Sequence, residues 1–90
     1  LKNDKNRIYF QNYERISAEE ELKKVQSILK EKNIRIGRRR ETPLDDLYDC
    51  EIYGKPFTIV RTEEETFLYA ECTDTIEKLL KIFEWGEYGR

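Results

Sequence analysis

Four groups of residues in this chain have types and spacings that can do chemistry. The first is the pair of thiols, Cys50 and Cys72, in a sequence of 90 residues that holds no histidine. Without histidine the chain lacks the commonest general base and the commonest metal ligand. Two thiolates fall short of the four nitrogen or sulfur ligands of a structural zinc site, so no metal and no cofactor is expected. Neither a Ser-His-Asp nor a Cys-His arrangement can be assembled. The cysteines read first as small buried apolar residues of a reducing compartment. A disulfide requires that their two strands pair. A reactive thiol has the least support, because no basic residue flanks either cysteine in the sequence.

The second group is acidic. Asp45, Asp46, Asp49 and Glu51 lie close together, followed by Glu63, Glu64 and Glu65. The alternating ligands and central Gly of a calcium loop are missing. A carboxylate pair of the glycosidase kind is formally available. A solvated face is the plain reading. The sharper one is an acidic surface that docks on a basic partner. The third group is basic: Arg35, Arg38, Arg39 and Arg40, whose guanidinium forks suit phosphates. On a regular strand Arg38 and Arg40 share the face of Ile34 and Ile36, with Arg35 and Arg39 opposite. They can equally pair with Glu41, Asp45, Asp46 or the 63–65 turn.

The fourth group is aromatic. Residues 8–13 read IYFQNY and residues 66–72 read TFLYAEC. The first stretch resembles the first-strand motif of the RNA-recognition motif family, with Tyr9 at its base-stacking position. Phe67 and Tyr69 fall near the stacking positions of that family's second motif. The resemblance implies a nucleic-acid platform on an outer sheet face. Against it, Glu65-Thr66 stands where the family prefers a basic residue and Gly, and Glu63–Glu65 repels phosphate. Trp85, two residues past Phe83, is either a staple at a helix end or an anchor for a partner.

These groups need elements to hold them. Arg7–Tyr13 reads as a strand. Ser17 and Glu20 have capping-box spacing, and Leu22, Val25, Ile28 and Leu29 follow at helical intervals, which predicts a helix over about 18–32 ending near Asn33. Ile34–Arg40, Leu47–Tyr53, Phe57–Arg61 and Thr66–Cys72 read as strands, with a tight turn at Gly54-Lys55. A second helix begins at Thr73 or Asp74, where Asp74 and Glu77 repeat the capping-box spacing. It carries Ile76, Leu79, Leu80 and Phe83 on one stripe and stops at Gly86. The order β-α-β-β-β-β-α predicts an α+β two-layer sandwich, a mostly antiparallel sheet with two helices on one face. The first two strands, joined through a helix, suit a parallel crossover.

The chain is 38% hydrophobic and 40% charged, enough for one small domain over residues 1–90, with residues 1–6 and 86–90 as loose ends. No apolar run approaches the roughly 20 residues of a membrane span, and no membrane partner is expected. The opening LKNDKNRIYF has no apolar stretch of the signal-peptide kind, which makes the cytoplasm the expected location. Residues 1–40 hold twelve Lys and Arg against six Asp and Glu, whereas residues 41–90 hold five against thirteen. Missing catalytic chemistry, small size and this acidic second half point to a non-enzymatic domain that binds a macromolecule. The first expectation is a protein partner, in the manner of small inhibitor, immunity or adaptor proteins, met by Asp45, Asp46, Asp49, Glu51, Glu63, Glu64, Glu65 and Trp85. The alternative is nucleic acid, met by Arg35, Arg38, Arg39 and Arg40 with Tyr9 and Phe67. Exposed edge strands also leave room for a homodimer.

Overall fold

Ser17 starts the first helix as its spacing predicts. Its backbone is extended (φ −67°, ψ 161°) and its hydroxyl accepts the Glu20 N–H at 3.1 Å. The helix, α1, spans Ala18–Glu31 with Glu19, Glu20 and Glu21 in its first turn, where the helix dipole favours negative charge. It ends because Asn33 adopts φ +60°. The Asn33 N–H then donates to the Lys30 carbonyl and the Ile34 N–H to the Leu29 carbonyl, which satisfies the last turn. These elements belong to a computed structural model that describes residues 2–3, 6–10 and 15–84.

Among the described residues six strands form one sheet: β1 (Lys2–Asn3), β2 (Arg7–Tyr9), β3 (Arg35–Glu41), β4 (Asp46–Ile52), β5 (Lys55–Arg61) and β6 (Thr66–Tyr69). Their spatial order is β1-β2-β6-β5-β4-β3, and every neighbouring pair is antiparallel. The second helix, α2, spans Thr73–Glu84. Apart from the two-residue β1, this is the expected β-α-β-β-β-β-α order and an α+β fold. β2 and β3 do run in the same direction, but β6, β5 and β4 lie between them. The chain thus crosses the whole sheet through α1 and walks back as a meander.

Alternation along the strands decides which face is covered. Ile8 of β2, Leu68 of β6, Phe57 and Ile59 of β5, and Cys50 and Ile52 of β4 are buried. They form one core with Leu22, Val25, Ile28 and Leu29 of α1 and with Ile76, Leu79 and Phe83 of α2. Phe10 and Phe83 pack with ring centroids 5.0 Å apart. Both helices therefore cover the same face, and the alternate residues of the strands look the other way.

Three local expectations are corrected. The β4–β5 turn has Tyr53 and Gly54 at its centre, at φ +49° and +78°, one residue earlier than Gly54-Lys55. Two positive φ values make it the mirror-image turn that matches strand twist. Asp74 does not cap α2. Cys72 does, since its carbonyl accepts the Thr75 and Ile76 N–H groups, while the Asp74 carboxylate sits in the first turn and pairs with Lys78 at 2.6 Å. Finally, β3 is not regular. Ile36 opposes Cys50 but Arg39 opposes Tyr48, so a bulge holds Gly37 and Arg38. The extra residue reverses the face assignment of the arginines after it. Arg39 shares the helix-covered side with Ile36, and Arg40 shares the open side with Arg35. Gly is required at 37 because a Cβ there would collide with the Asp49 carbonyl. The bulge and the charges also blunt β3 as a free sheet edge.

Candidate functional site

The sequence places its acidic residues in one group, and the fold divides them. Asp46 begins β4 on the covered side, 8% exposed, between two arginines. Its carboxylate accepts from Arg39 Nη2 at 2.9 Å and from Arg61 Nε at 2.8 Å. The Arg61 hydrogen bond, then that of Arg39, holds the Asp46 carboxyl below the usual carboxylate range, and Asp46 in turn raises Arg39. Asp49 points to the open face and takes both forks of Arg40 at 2.8 Å. Glu51 is exposed further along the same face, opposite Arg35 in the register.

Asp45 and Glu63–Glu65 lie in two hairpin loops at one end of the sheet, and the loops are built alike. In each, a threonine closes a four-residue turn. The Thr42 N–H donates to the Asp45 carbonyl at 2.9 Å, and the Thr62 N–H to the Glu65 carbonyl at 2.8 Å. The Thr42 hydroxyl accepts the Asp45 N–H, and the Thr62 hydroxyl accepts those of Glu64 and Glu65. The first turn of α1 comes to the same end, since the Glu21 carboxylate accepts the Thr66 N–H at 2.9 Å and the Thr66 hydroxyl donates to the Ala18 carbonyl at 2.8 Å. One end of the molecule thus collects Asp45, Glu63, Glu64 and Glu65 beside Glu19 and Glu20. Trp85 lies outside the described residues.

The open face carries an apolar row. By the strand registers, Tyr9, Phe67, Val60, Leu47 and Arg40 stand side by side across β2, β6, β5, β4 and β3. Tyr9 and Phe67, the pair singled out by the aromatic motifs, pack with centroids 5.0 Å apart. In the next row Arg7 lies 5.6 Å over the Tyr69 ring, followed by Thr58 and Asp49. The first row borders the acidic loops, because Asp46, Arg61 and Thr66 are the next residues toward them. Arg35 and Arg38 are exposed, and neither forms an ion pair among the described residues.

The cysteines part company as well. Cys50 is buried, and burial pushes its thiol up to about 11. Cys72 is exposed at the start of α2, contrary to the expectation of two buried residues. The two are free, and β5 separates the strand of one from the strand that leads to the other. The backbone N–H groups of Thr75 and then Asp74 lower the Cys72 pKa, with smaller contributions from the Thr75 hydroxyl and then Lys55. Lys55 is 17 positions away in sequence, and only the β5–β6 pairing brings it near. Among the described residues no group of three or more His, Cys, Asp or Glu is placed to hold a metal ion. No helix among the described residues is long and apolar enough to cross a membrane.

Compared with known proteins, the chain matches no family model, no curated protein and no solved structure.

Proposed function

We propose that this chain is a non-enzymatic protein-binding domain whose open sheet face docks a partner. The observation that carries the reading is the row Tyr9, Phe67, Val60 and Leu47, which neither helix covers and which runs up to the acidic end of the sheet. Tyr, Phe and Arg are the residue types that anchor protein interfaces, and a mixed-charge rim is their usual surround. The aliphatic members, Val60 and Leu47, favour a protein over a stacked strand of bases. Asp49 and Glu51 on the same face, and Glu63–Glu65 at its border, disfavour phosphates. The partner is accordingly a protein with an apolar centre and basic side chains along the rim that meets Asp45 and Glu63–Glu65. This keeps Asp45 and Glu63–Glu65 as the edge of the interface and Asp49 and Glu51 on its face, while Asp46, paired with Arg39 and Arg61 on the covered side, drops out of it. Two free cysteines suit a cytoplasmic setting.

The test immobilises the full chain and passes native-source lysate over it, with and without nuclease. A parallel column carries Leu47→Lys, whose melting curve is checked against the parent. Support is a protein retained after nuclease by the parent and lost by Leu47→Lys. Changing Glu63, Glu64 and Glu65 to Gln should then slow association of that protein at low salt. Equal retention by Leu47→Lys overturns the reading. Retention that nuclease abolishes transfers the function to nucleic acid and to Arg35 and Arg38, and a titration with an oligo-dT single strand would show it directly.

A further inference from the structure

A cavity of about 470 Å³ lies between the end of α1, the β4–β5 turn and one face of α2. That volume is in the range of small-molecule sites, about 300–1,000 Å³. It is lined by Lys32, Tyr53, Lys78, Lys81 and Ile82. Lys78, Lys81 and Ile82 share a stripe of α2, because residues three and four apart on a helix are neighbours. Lys32 is the C-cap of α1, and Tyr53 is the first central residue of the turn. β4 and β5 run the length of the sheet between this turn and the loops that carry Asp45 and Glu63–Glu65. The cavity thus sits at the end of the molecule opposite the acidic one.

Two independent features point to a ligand. The first is charge. Three ammonium groups from two helices meet around one cavity whose lining, among the described residues, holds no carboxylate. Asp74 pairs with Lys78 at 2.6 Å, and Glu77 acts on the same ammonium. Lys32 and Lys81 form no ion pair among the described residues. Like charges gathered by the fold repel one another, and an anion seated among them relieves the repulsion. The second feature is Tyr53, held at φ +49°. The mirror-image turn demands left-handed backbone there, which Gly, Asn or Asp adopts at least cost. A bulky side chain in that region is strained. The ring is 77% exposed, so packing in the free chain does little to offset the strain. An aromatic face held open beside a basic cavity suits stacking on a flat ring.

We propose that this cavity binds a nucleoside di- or triphosphate. The base stacks on the Tyr53 ring, with Ile82 as the apolar floor. Phosphate oxygens accept from the ammonium groups of Lys32, Lys78 and Lys81, which are point charges on flexible stems that can follow a phosphate chain. A single aromatic favours one nucleotide over a strand, which needs successive stacking rings. The site belongs to the helix layer, away from the open sheet face that docks a partner.

The experiment titrates the full chain with ATP, GTP, CTP and UTP by calorimetry, without magnesium and at low salt. Saturable one-to-one binding of at least one of them is expected. Lys32→Gln combined with Lys81→Gln should weaken it at least about tenfold, the size of losing charged hydrogen bonds. Lys23→Gln combined with Arg38→Gln removes the same charge elsewhere and should leave the affinity within about twofold. Circular dichroism checks that each variant folds. Tyr53→Asn should weaken binding at least about fivefold and raise the melting temperature by a few degrees, because Asn suits the turn and the ring serves the ligand. Tripolyphosphate should bind at least about fivefold more weakly than the nucleotide. Absence of saturable binding by all four nucleotides overturns the proposal. So does an equal loss in the two charge variants, or a Tyr53→Asn chain that binds as the parent does or melts lower. Tripolyphosphate binding as tightly as the nucleotide, or an oligo-dT strand displacing it at a lower concentration than the nucleotide itself needs, also overturns it. None of these readouts involves Leu47 or Glu63–Glu65, so the outcome is independent of the docking reading.

Discussion

Leu68 and Phe67 are neighbours on β6 and live in different environments. Leu68 is fully buried under the helices and pairs with Ile59 and Ile8. Phe67 is half-buried on the other side, against Tyr9 and next to Val60. The same strand therefore buries one face under the helices and leaves the other, almost as apolar, uncovered by them. Beside Thr58, Asp49, Glu51 and three arginines, this open face carries two tyrosines, a phenylalanine, a valine and a leucine. Truncation separates the two faces. Leu68→Ala should lose about 2–5 kcal/mol of unfolding free energy, the range for a buried leucine. Phe67→Ala should lose only about 1 kcal/mol, because its ring keeps solvent contact in the native state. Urea unfolding of both variants measures the difference. Equal losses would mean that the two faces are buried alike.

The next test concerns what divides the faces on β3. The bulge at Gly37 and Arg38 sends Arg39 to Asp46 on one side and Arg40 to Asp49 on the other. Gly37→Ala forces the Asp49 carbonyl to move, and overpacking of this kind typically costs about 1–3 kcal/mol. Arg38→Ala, at the other bulge position and exposed, should leave the melting temperature nearly unchanged. Matching melting temperatures for the two variants would remove the steric account of the bulge.

Much of this was readable in the residues. Leu22, Val25, Ile28 and Leu29 mark α1 by their spacing, Ser17 and Asn33 mark its ends, and alternation in Phe57–Arg61 and Thr66–Tyr69 marks the covered face. The bulge was not readable, because Gly37 looks the same in a regular strand and in a bulged one until the partner carbonyl of Asp49 is in place. The pairing of Arg39 with Glu41 and Asp46 is among those the sequence offers, but the second partner of Asp46 was hidden for a similar reason: Arg61 is local to it only through the β4–β5 register. Cys72 shows the limit most clearly. Its sequence neighbours are acidic or neutral, and the groups that act on its sulfur are backbone N–H groups of a helix start and a lysine from another strand. What pairing creates, spacing along one strand cannot announce.

Charge gives a third way to tell the regions apart. Burial raises the Glu21 pKa above its ordinary 4.5, opposed by the Thr66 N–H hydrogen bond and reinforced by Glu65. The folded chain then binds this proton at higher pH than the unfolded chain does. Its contribution to stability grows as pH falls through the folded value and is complete at the ordinary one. Asp46 has the opposite sign. Its contribution is present above its ordinary 3.8 and is lost as pH falls through the lowered folded value. Relative to Glu21→Gln, the parent should therefore gain stability between neutral pH and 4.5. Relative to Asp46→Asn, its advantage should hold above 3.8 and fade only below it. Urea midpoints across that pH range give both curves, and parallel curves for parent and Glu21→Gln would contradict the burial of Glu21.

The smallest effect belongs to the open face itself. Arg40 and Asp49 make a two-pronged contact at 2.8 Å, yet their side chains are 54% and 52% exposed. Ion pairs so open to water are worth about 0.2–1 kcal/mol in double-mutant cycles, and salt weakens them. The cycle Arg40→Ala, Asp49→Ala should return a coupling in that range for the free chain and lose most of it in high salt. A coupling of about 3 kcal/mol or more, indifferent to salt, belongs to a pair shielded from water. In the free chain that result would mean the face is already covered, and it would withdraw the docking reading. Found only with the partner bound, it would place Arg40 and Asp49 inside the interface, Arg40 on the row of Leu47 and Asp49 on the next.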